Sequence, residues 1–148
     1  MSNKPRYVFD TNVTISAALF EQSLPAQALY AALDRGELLV SRATIVELGE
    51  VLGRNKFDRY LTHQEREEFL VKLVRQAAVV EITEEVRACR DANDDKFLEV
   101  AVCGHASCVV SGDADLLAMN PFRGIPILTP AQFLDMLARE GVASKPFQ

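Results

Sequence analysis

A short apolar run that ends in an acid lies near the start of the chain and reads Tyr7-Val8-Phe9-Asp10-Thr11-Asn12. Brief β-branched or aromatic runs bounded by polar or turn residues predict buried strands. By the same pattern we predict four more strands, at residues 38–40, 79–82, 108–111 and 125–128. Because longer amphipathic segments separate these runs, the sequence predicts an α/β fold with a central parallel sheet of about five strands and helices on both faces.

The amphipathic segments predict six helices, with ends uncertain by about three residues. We place them at residues 13–19, 25–35, 43–53, 62–76, 95–104 and 130–139. Pro25 and Pro130 suit first-turn positions, Thr62 suits an N-cap, and Gly141 suits a C-terminal stop. We therefore predict a single domain over residues 1–140, followed by a flexible tail at 141–148.

Composition limits the class of protein. A chain of 148 residues with 49% hydrophobic residues can bury one sizeable core. Three cysteines without a C-x-x-C pair, together with the lack of an apolar run long enough to span a bilayer, predict a cytoplasmic protein with no membrane partner. The net charge of -5 argues against a broad basic face for nucleic acid, although it leaves room for local contacts.

Several acids fall where a parallel sheet places its ligand crevice, outside the carboxyl ends of the strands. Asp10 follows the first predicted strand, and Asp113 follows the fourth, with Asp115 two residues on. Both would face one crevice if the first and fourth strands are neighbours. Glu47, in the helix after the second strand, and the doublet Asp94-Asp95, at the start of the helix before the fourth, can reach the same end.

Each acid also has an ordinary structural interpretation. Glu47 could complete a capping box with Thr44, although Ser41 is the better cap, and Asp94, Asp95 and Asp113 could serve helix starts. Asp10 is harder to explain in this way, because an acid that ends a buried strand is costly without compensation. Four converging carboxylates would repel one another, and divalent cations would relieve that repulsion. Oxygen-only ligands favour magnesium or manganese over zinc.

Four segments at domain spacing resemble the PIN-domain family, and in particular its branch of toxins from bacterial toxin-antitoxin pairs. They are Val8-Phe9-Asp10-Thr11-Asn12-Val13, Val46-Glu47-Leu48, Arg90-Asp91-Ala92-Asn93-Asp94-Asp95-Lys96-Phe97-Leu98-Glu99 and Val110-Ser111-Gly112-Asp113-Ala114-Asp115-Leu116-Leu117. The resemblance implies a three-layer α/β/α sandwich and one or two Mg²⁺ or Mn²⁺ ions. The implied catalytic and metal-binding residues are Asp10, Glu47, Asp95 and Asp113, with Asp94 as neighbour or substitute, Asp115 as a peripheral ligand and Asp91 as an outer one.

The resemblance also implies an activity, metal-dependent hydrolysis of phosphodiester bonds in single-stranded RNA. Thr11, Asn12 and Ser111 would orient the acids or contact phosphate, while Lys96 and Arg123 are candidate phosphate contacts. A cognate antitoxin and a homodimer are the implied protein partners. The glycines form no nucleotide-binding pattern, so no nucleotide cofactor is expected.

Other features have more ordinary interpretations. Arg54, Lys56 and Arg59 form a basic run beside Phe57 and Tyr60 that could guide RNA, but a solvated face is the commoner meaning of such a run. His63 and His105 have no nucleophilic partner in the sequence, and both are expected at the surface.

Three alternatives to the toxin remain open. They are a housekeeping RNA-processing nuclease, a metal- and RNA-binding module with little activity, and a phosphohydrolase of small molecules. The last ranks low, because the aspartyl-phosphate enzymes usually place a second aspartate where this chain has Asn12.

Overall fold

The computed structural model describes residues 4–144, without the side chains of 142–144. Its strands are β1 (Arg6–Phe9), β2 (Glu37–Val40), β3 (Ala78–Val79), β4 (Cys108–Val110) and β5 (Ile127–Leu128). Its helices are α1 (Thr11–Leu19), α2 (Leu24–Arg35), α3 (Arg42–Leu52), α4 (His63–Gln76), α5 (Asp95–Cys103), α6 (Ala114–Leu117) and α7 (Pro130–Ser144). Short 3-10 turns lie at Asn55–Phe57 and Ala92–Asp94.

The five strands form one parallel sheet in the order β3-β2-β1-β4-β5. Strand β1 lies at the centre, and the chain changes direction across the sheet between β1 and β4. The register places Phe9 beside Val110, so the two strands end at the same level. The neighbouring first and fourth strands, on which the predicted crevice depends, are therefore confirmed.

Side chains alternate between two cores on the two faces of the sheet. From β1, Tyr7 and Phe9 join the core shared with α1, α2, α3, α4 and α7, whereas Val8 joins the core shared with α5 and α6. From β4, Val109 lies on the same face as Val8. The three-layer α/β/α sandwich is confirmed, as is the five-stranded parallel sheet.

The two edge strands are shorter than predicted. We placed the third strand at 79–82, but β3 ends at Val79, because its one neighbour in the sheet, β2, ends at Val40. We placed the fifth at 125–128, but β5 begins at Ile127. Ile125 instead pairs with Phe122 across a tight turn that contains Arg123 and Gly124, both with positive φ.

Two helices extend beyond their predicted ends. Helix α1 begins at Thr11 rather than residue 13, because Asp10 provides its N-cap. Helix α7 continues to Ser144, so the predicted helix end at 139 is wrong, while the flexibility of the tail at 141–148 stays a prediction. Gly141 lies inside this helix, where glycine weakens a helix without ending it. Residues 145–148 of the predicted tail lie outside the described residues. Across residues 4–144, no helix is both long and apolar enough to cross a membrane.

An aromatic cluster fixes β1 against α7. Phe133 is fully buried, and its ring meets Tyr7 and Phe9 edge to face, at centroid distances of 5.0 and 5.7 Å. We expect Phe133→Ala to lower the free energy of unfolding by about 3–5 kcal/mol, because it removes a large buried ring and leaves a cavity. Urea unfolding followed by circular dichroism measures this change.

The matched control is Tyr30→Ala, which removes an exposed aromatic ring from α2. Its effect should stay within about 0.5 kcal/mol. Equal losses from the two variants would contradict the assigned role of the cluster.

Candidate functional site

Asp10 stands at the end of β1 and is almost fully buried. Its backbone N–H continues the sheet by donating to the Val110 carbonyl at 3.0 Å. One carboxylate oxygen caps α1 by accepting the Val13 N–H at 2.8 Å, and the other accepts the Ser111 hydroxyl at 2.5 Å. Burial raises the pKa of Asp10, and these hydrogen bonds offset only part of that effect. The acid is held rigidly although its charge is poorly solvated.

Glu47 projects from α3 and is surrounded by donors. Its carboxylate accepts hydrogen bonds from the Lys96 ammonium at 2.7 Å, from the Asn93 amide at 2.9 Å and from the Thr11 hydroxyl. Burial acts to raise its pKa, but these hydrogen bonds and the charge of Lys96 outweigh burial and lower it. The capping box of α3 is formed by Ser41 and Thr44, so Glu47 is not needed as a cap.

Asp94 and Asp113 meet across the gap between α5 and α6. Asp113 caps α6 by accepting the Asp115 N–H at 3.3 Å, while its own N–H donates to the Ser111 hydroxyl at 2.9 Å. Asp94 precedes α5 and makes no capping bond with its side chain. Its pKa is raised to about 6 by burial first, then by a hydrogen bond to Asp113 and by nearby negative charges. The carboxyl groups of Asp94 and Asp113 therefore lie against each other.

Asp95, which we preferred to Asp94 for the predicted quartet, is engaged by the backbone of the loop before α5. One Asp95 oxygen accepts the backbone N–H groups of Ala88 and Cys89, at 3.1 and 2.7 Å. Burial acts to raise the pKa of Asp95, but these two hydrogen bonds outweigh it and lower the pKa. Asp95 therefore anchors the loop before α5, and its neighbour Asp94 faces Asp113.

A cavity of about 210 Å³ opens at this end of the sheet. It is lined by Asp10, Thr11, Asn12, Glu47, Val51, Arg54, Asn93, Asp94, Phe97 and Asp113. A larger cavity of about 390 Å³ lies between α2 and α4, but Asp34 is the one carboxylate among the residues that line it. Of the predicted catalytic quartet, Asp10, Glu47 and Asp113 line the smaller cavity together.

Other predicted residues lie outside the cavity. Ser111 is buried behind Asp10, and Lys96 reaches the site through its ion pair with Glu47. Asp115 contributes its backbone N–H to Asp113. Asp91 caps the 3-10 turn before α5. Arg123 forms an ion pair with Glu84.

Two residues of the site were missed as ligands or contacts. Asn93 stands beside the acidic doublet and donates to Glu47, and its position immediately before Asp94 was the available signal. Arg54 lines the cavity from the loop after α3, although the sequence places it in a basic run that is expected to be solvated. The exposed positions of His63 and His105 agree with the prediction.

The donor set suits a hard divalent cation, because every acidic ligand candidate offers carboxylate oxygen. Burial, the hydrogen bond to Asp113 and nearby negative charges together raise the pKa of Asp94, and a divalent cation would offset this crowding of carboxylates. Within residues 4–144, however, no three His, Cys, Asp or Glu side chains lie close enough to form a metal-binding group as they stand. Glu47 is instead engaged by Lys96.

Sheet order and cavity define a class of protein, a parallel α/β domain with carboxylates gathered at the strand ends where the topology switches. The model of the PIN-domain family matches residues 6–115. The chain belongs to the PIN-domain family, whose members are generally nucleases.

Known proteins match this chain at low sequence identity. The uncharacterized protein MJ1680 of Methanocaldococcus jannaschii is 27% identical over 119 residues, which cover 79% of this chain and 76% of that protein. PAE2754 of Pyrobaculum aerophilum matches with a TM-score of 0.60 at 16% identity, covering 90% of each chain.

Two further solved structures also match this chain. VapBC2 of Rickettsia felis, bound to a DNA fragment from its promoter, has a TM-score of 0.57 at 11% identity and covers 82% of this chain and 96% of that one. FitAcB of Neisseria gonorrhoeae has a TM-score of 0.54 at 17% identity and covers 84% of this chain and 98% of that one. At these identities the likeness establishes the fold.

The raised pKa of Asp94 predicts how stability changes with pH. Because the folded pKa of about 6 exceeds the ordinary 3.8, the folded protein keeps a proton that the unfolded chain has released. This contribution to stability is full below the ordinary value and is lost as pH rises through about 6. Asn mimics the protonated acid, so the stability of Asp94→Asn relative to wild type should rise between about pH 4 and pH 7, by on the order of 1 kcal/mol after allowance for solvent screening.

Urea unfolding in EDTA across this pH range measures the difference. Subtracting the two profiles removes the contributions of Glu47 and Asp95, whose lowered pKa values act in the opposite direction. Parallel profiles for the two proteins would contradict the assignment to Asp94.

Proposed function

We propose that the protein is a divalent-metal-dependent endoribonuclease that hydrolyses phosphodiester bonds of single-stranded RNA. The observation that carries the proposal is the convergence of Asp10, Glu47, Asp94 and Asp113 on one cavity, in a chain of a family whose members are generally nucleases. The caps and turns assigned to these acids do not by themselves require a shared cavity. A common ligand for their oxygens is the simplest reason for it.

Asp10, Asp94 and Asp113 would hold Mg²⁺ or Mn²⁺, one ion or two, with Glu47 as a further ligand when it is released from Lys96. Asp115 stands next to Asp113 as a peripheral candidate. A bound divalent cation supplies an activated water and offsets charge that develops on the phosphate. In this proposal the carboxylates need only hold the divalent cation in place.

Neighbouring side chains fix the acids in position. The Ser111 hydroxyl donates to Asp10 and accepts the Asp113 N–H, so one residue links two of the proposed ligands. Thr11, Asn93 and Lys96 all donate to Glu47. If RNA drew Lys96 towards a phosphate, Glu47 would lose its counter-ion and gain affinity for a cation. Lys96 thus remains a candidate phosphate contact, whereas Arg123 is directed to Glu84.

We further propose that the nuclease is the toxin of a toxin-antitoxin pair. The sequence resembles that branch of the family, and the fold is shared with VapBC2 and FitAcB, which are toxin-antitoxin proteins. A cognate antitoxin is then the expected partner. A homodimer and a cytoplasmic location remain expectations from the resemblance and the composition.

Cleavage of a labelled single-stranded RNA by wild type and Asp10→Asn, with Mg²⁺, with Mn²⁺ and with EDTA, tests the activity. Asparagine keeps the N-cap of α1, so the variant should fold while it loses a charged ligand. We expect cleavage by wild type with either metal, and a loss of at least about 100-fold in Asp10→Asn. Equal rates for both proteins would refute the nuclease. Metal binding without cleavage would favour a binding module.

Paired variants of the acidic doublet test the ligand set. Isothermal titration with Mn²⁺ should show affinity reduced at least about tenfold in Asp94→Asn, on the scale known for perturbed metal shells. The matched variant Asp95→Asn should bind as wild type does, because asparagine still offers an oxygen to the N–H groups of Ala88 and Cys89. The reverse result would restore Asp95 to the site in place of Asp94.

A further inference from the structure

An exposed aromatic pair lies at the C-terminal end of α1, the helix that begins at the cavity. Phe20 and Tyr60 meet edge to face, with ring centroids 5.3 Å apart, and each is 46% exposed. Two large rings this exposed are unusual for a structural contact, since nearly half of the surface of each residue stays in solvent. The Arg59 guanidinium lies over Tyr60, 5.4 Å from the ring centroid. The surface offers flat faces for stacking together with positive charge.

A run of cations leads along the chain from the cavity to this aromatic pair. Arg54 lines the cavity, and exposed Lys56 and Arg59 follow it along the loop. Among residues 4–144, none of these three cations forms an ion pair with an acid. Other cations do: Arg6, Arg66, Arg87, Lys96, Arg123 and Arg139. The one acid in the loop, Asp58, is instead matched by Arg66 at 2.5 Å and His63 at 3.3 Å.

The loop is held in one shape by a buried cation. Arg66 is 2% exposed, and its guanidinium donates to the carbonyls of Leu52 and Arg54, at 2.9 and 3.0 Å, as well as to Asp58. Backbone hydrogen bonds from Phe57 to Arg54 and from Tyr60 to Phe57 complete the turn. Because the loop is pre-formed, little entropy is lost when a ligand is bound there.

The Phe20–Tyr60 pair also lies close enough to the acids for one RNA strand to contact both. Helix α1 begins at Thr11 in the cavity and ends at Leu19, directly before Phe20. Nine residues at about 1.5 Å each span roughly 14 Å. A strand of RNA whose scissile phosphate lies in the cavity could therefore extend over Arg54 and reach the two rings with a neighbouring base.

We propose that the surface formed by Phe20, Arg54, Lys56, Arg59 and Tyr60 binds the single-stranded RNA that flanks the cleavage site, with its phosphates on the cations and an unpaired base stacked on Tyr60. The inference rests on the proposed RNA substrate and identifies the surface that binds this RNA outside the cavity. The three cations give this surface a local positive charge that complements RNA phosphates, although the net charge of the chain is -5. Base stacking on aromatic rings is the usual way proteins hold unpaired RNA.

Binding is measured by fluorescence anisotropy with a short labelled single-stranded RNA and Mg²⁺. All variants carry Asp10→Asn, so that cleavage does not interfere. We expect Tyr60→Ala to weaken RNA binding about tenfold, within the range known for loss of one stacked base. Lys56→Gln and Arg59→Gln should each lower the dependence of log affinity on log salt by about 0.7. The matched controls are Tyr30→Ala and Arg75→Gln, which alter an exposed aromatic residue on α2 and an exposed cation on α4.

RNA with one abasic position, moved stepwise along the strand, tests the stacking directly. One position should weaken binding to the Asp10→Asn protein and have no effect once Tyr60→Ala is also present. Binding by Tyr60→Ala equal to that by Tyr30→Ala would overturn the inference. So would a change in oligomeric state on light scattering caused by Tyr60→Ala, which would assign the surface to a protein partner.

The test is independent of the cleavage assay. If metal-dependent cleavage is absent but binding still depends on Tyr60, the nuclease proposal fails and this inference stands. If cleavage is present and Tyr60→Ala binds RNA like the controls, the inference alone fails.

Discussion

The parallel pairing of β1 with β4 is the constraint on which the rest of the structure depends. The register brings Phe9 level with Val110, so that Asp10 and Ser111 emerge side by side where the sheet ends. Helices α1 and α6 start immediately beyond these strands, and their first turns supply the N–H groups that orient Asp10 and Asp113. A shift of one residue in this pairing would exchange the two faces of β1 and separate the acids.

Charge balance around the cavity follows from that geometry. Burial raises the pKa of both Asp10 and Asp94, and contact with Asp113 raises that of Asp94 further, whereas Lys96 neutralises Glu47. The site thus holds one compensated and several poorly compensated carboxylates. Positive charge lies just outside, on the loop that Arg66 fixes. The overall charge of -5 conceals this division between an acidic cavity and a basic rim.

The sequence allowed much of this arrangement to be predicted, because strand ends and the acids that follow them are local signals. The parallel sheet, the neighbouring β1 and β4 and the convergence of Asp10, Glu47 and Asp113 on one cavity follow from such signals. The choice between Asp94 and Asp95 does not, since it depends on which side chain the N–H groups of Ala88 and Cys89 capture. These hydrogen bonds join a loop to the start of α5. Because Asp94 and Asp95 are adjacent residues of the same type, the sequence does not indicate which of them the loop contacts.

The hydrogen bond from Ser111 to Asp10 joins residues 101 positions apart. Strand β1 is synthesised before β4, the neighbour that completes the acidic end of the sheet, and β2 and β3 lie between them in the chain. During synthesis, a chain that has not yet released β4 from the ribosome cannot assemble the cavity. Any activity that the site confers must therefore wait until β4 has left the ribosome, by which time β1, α1 and α3 have already emerged.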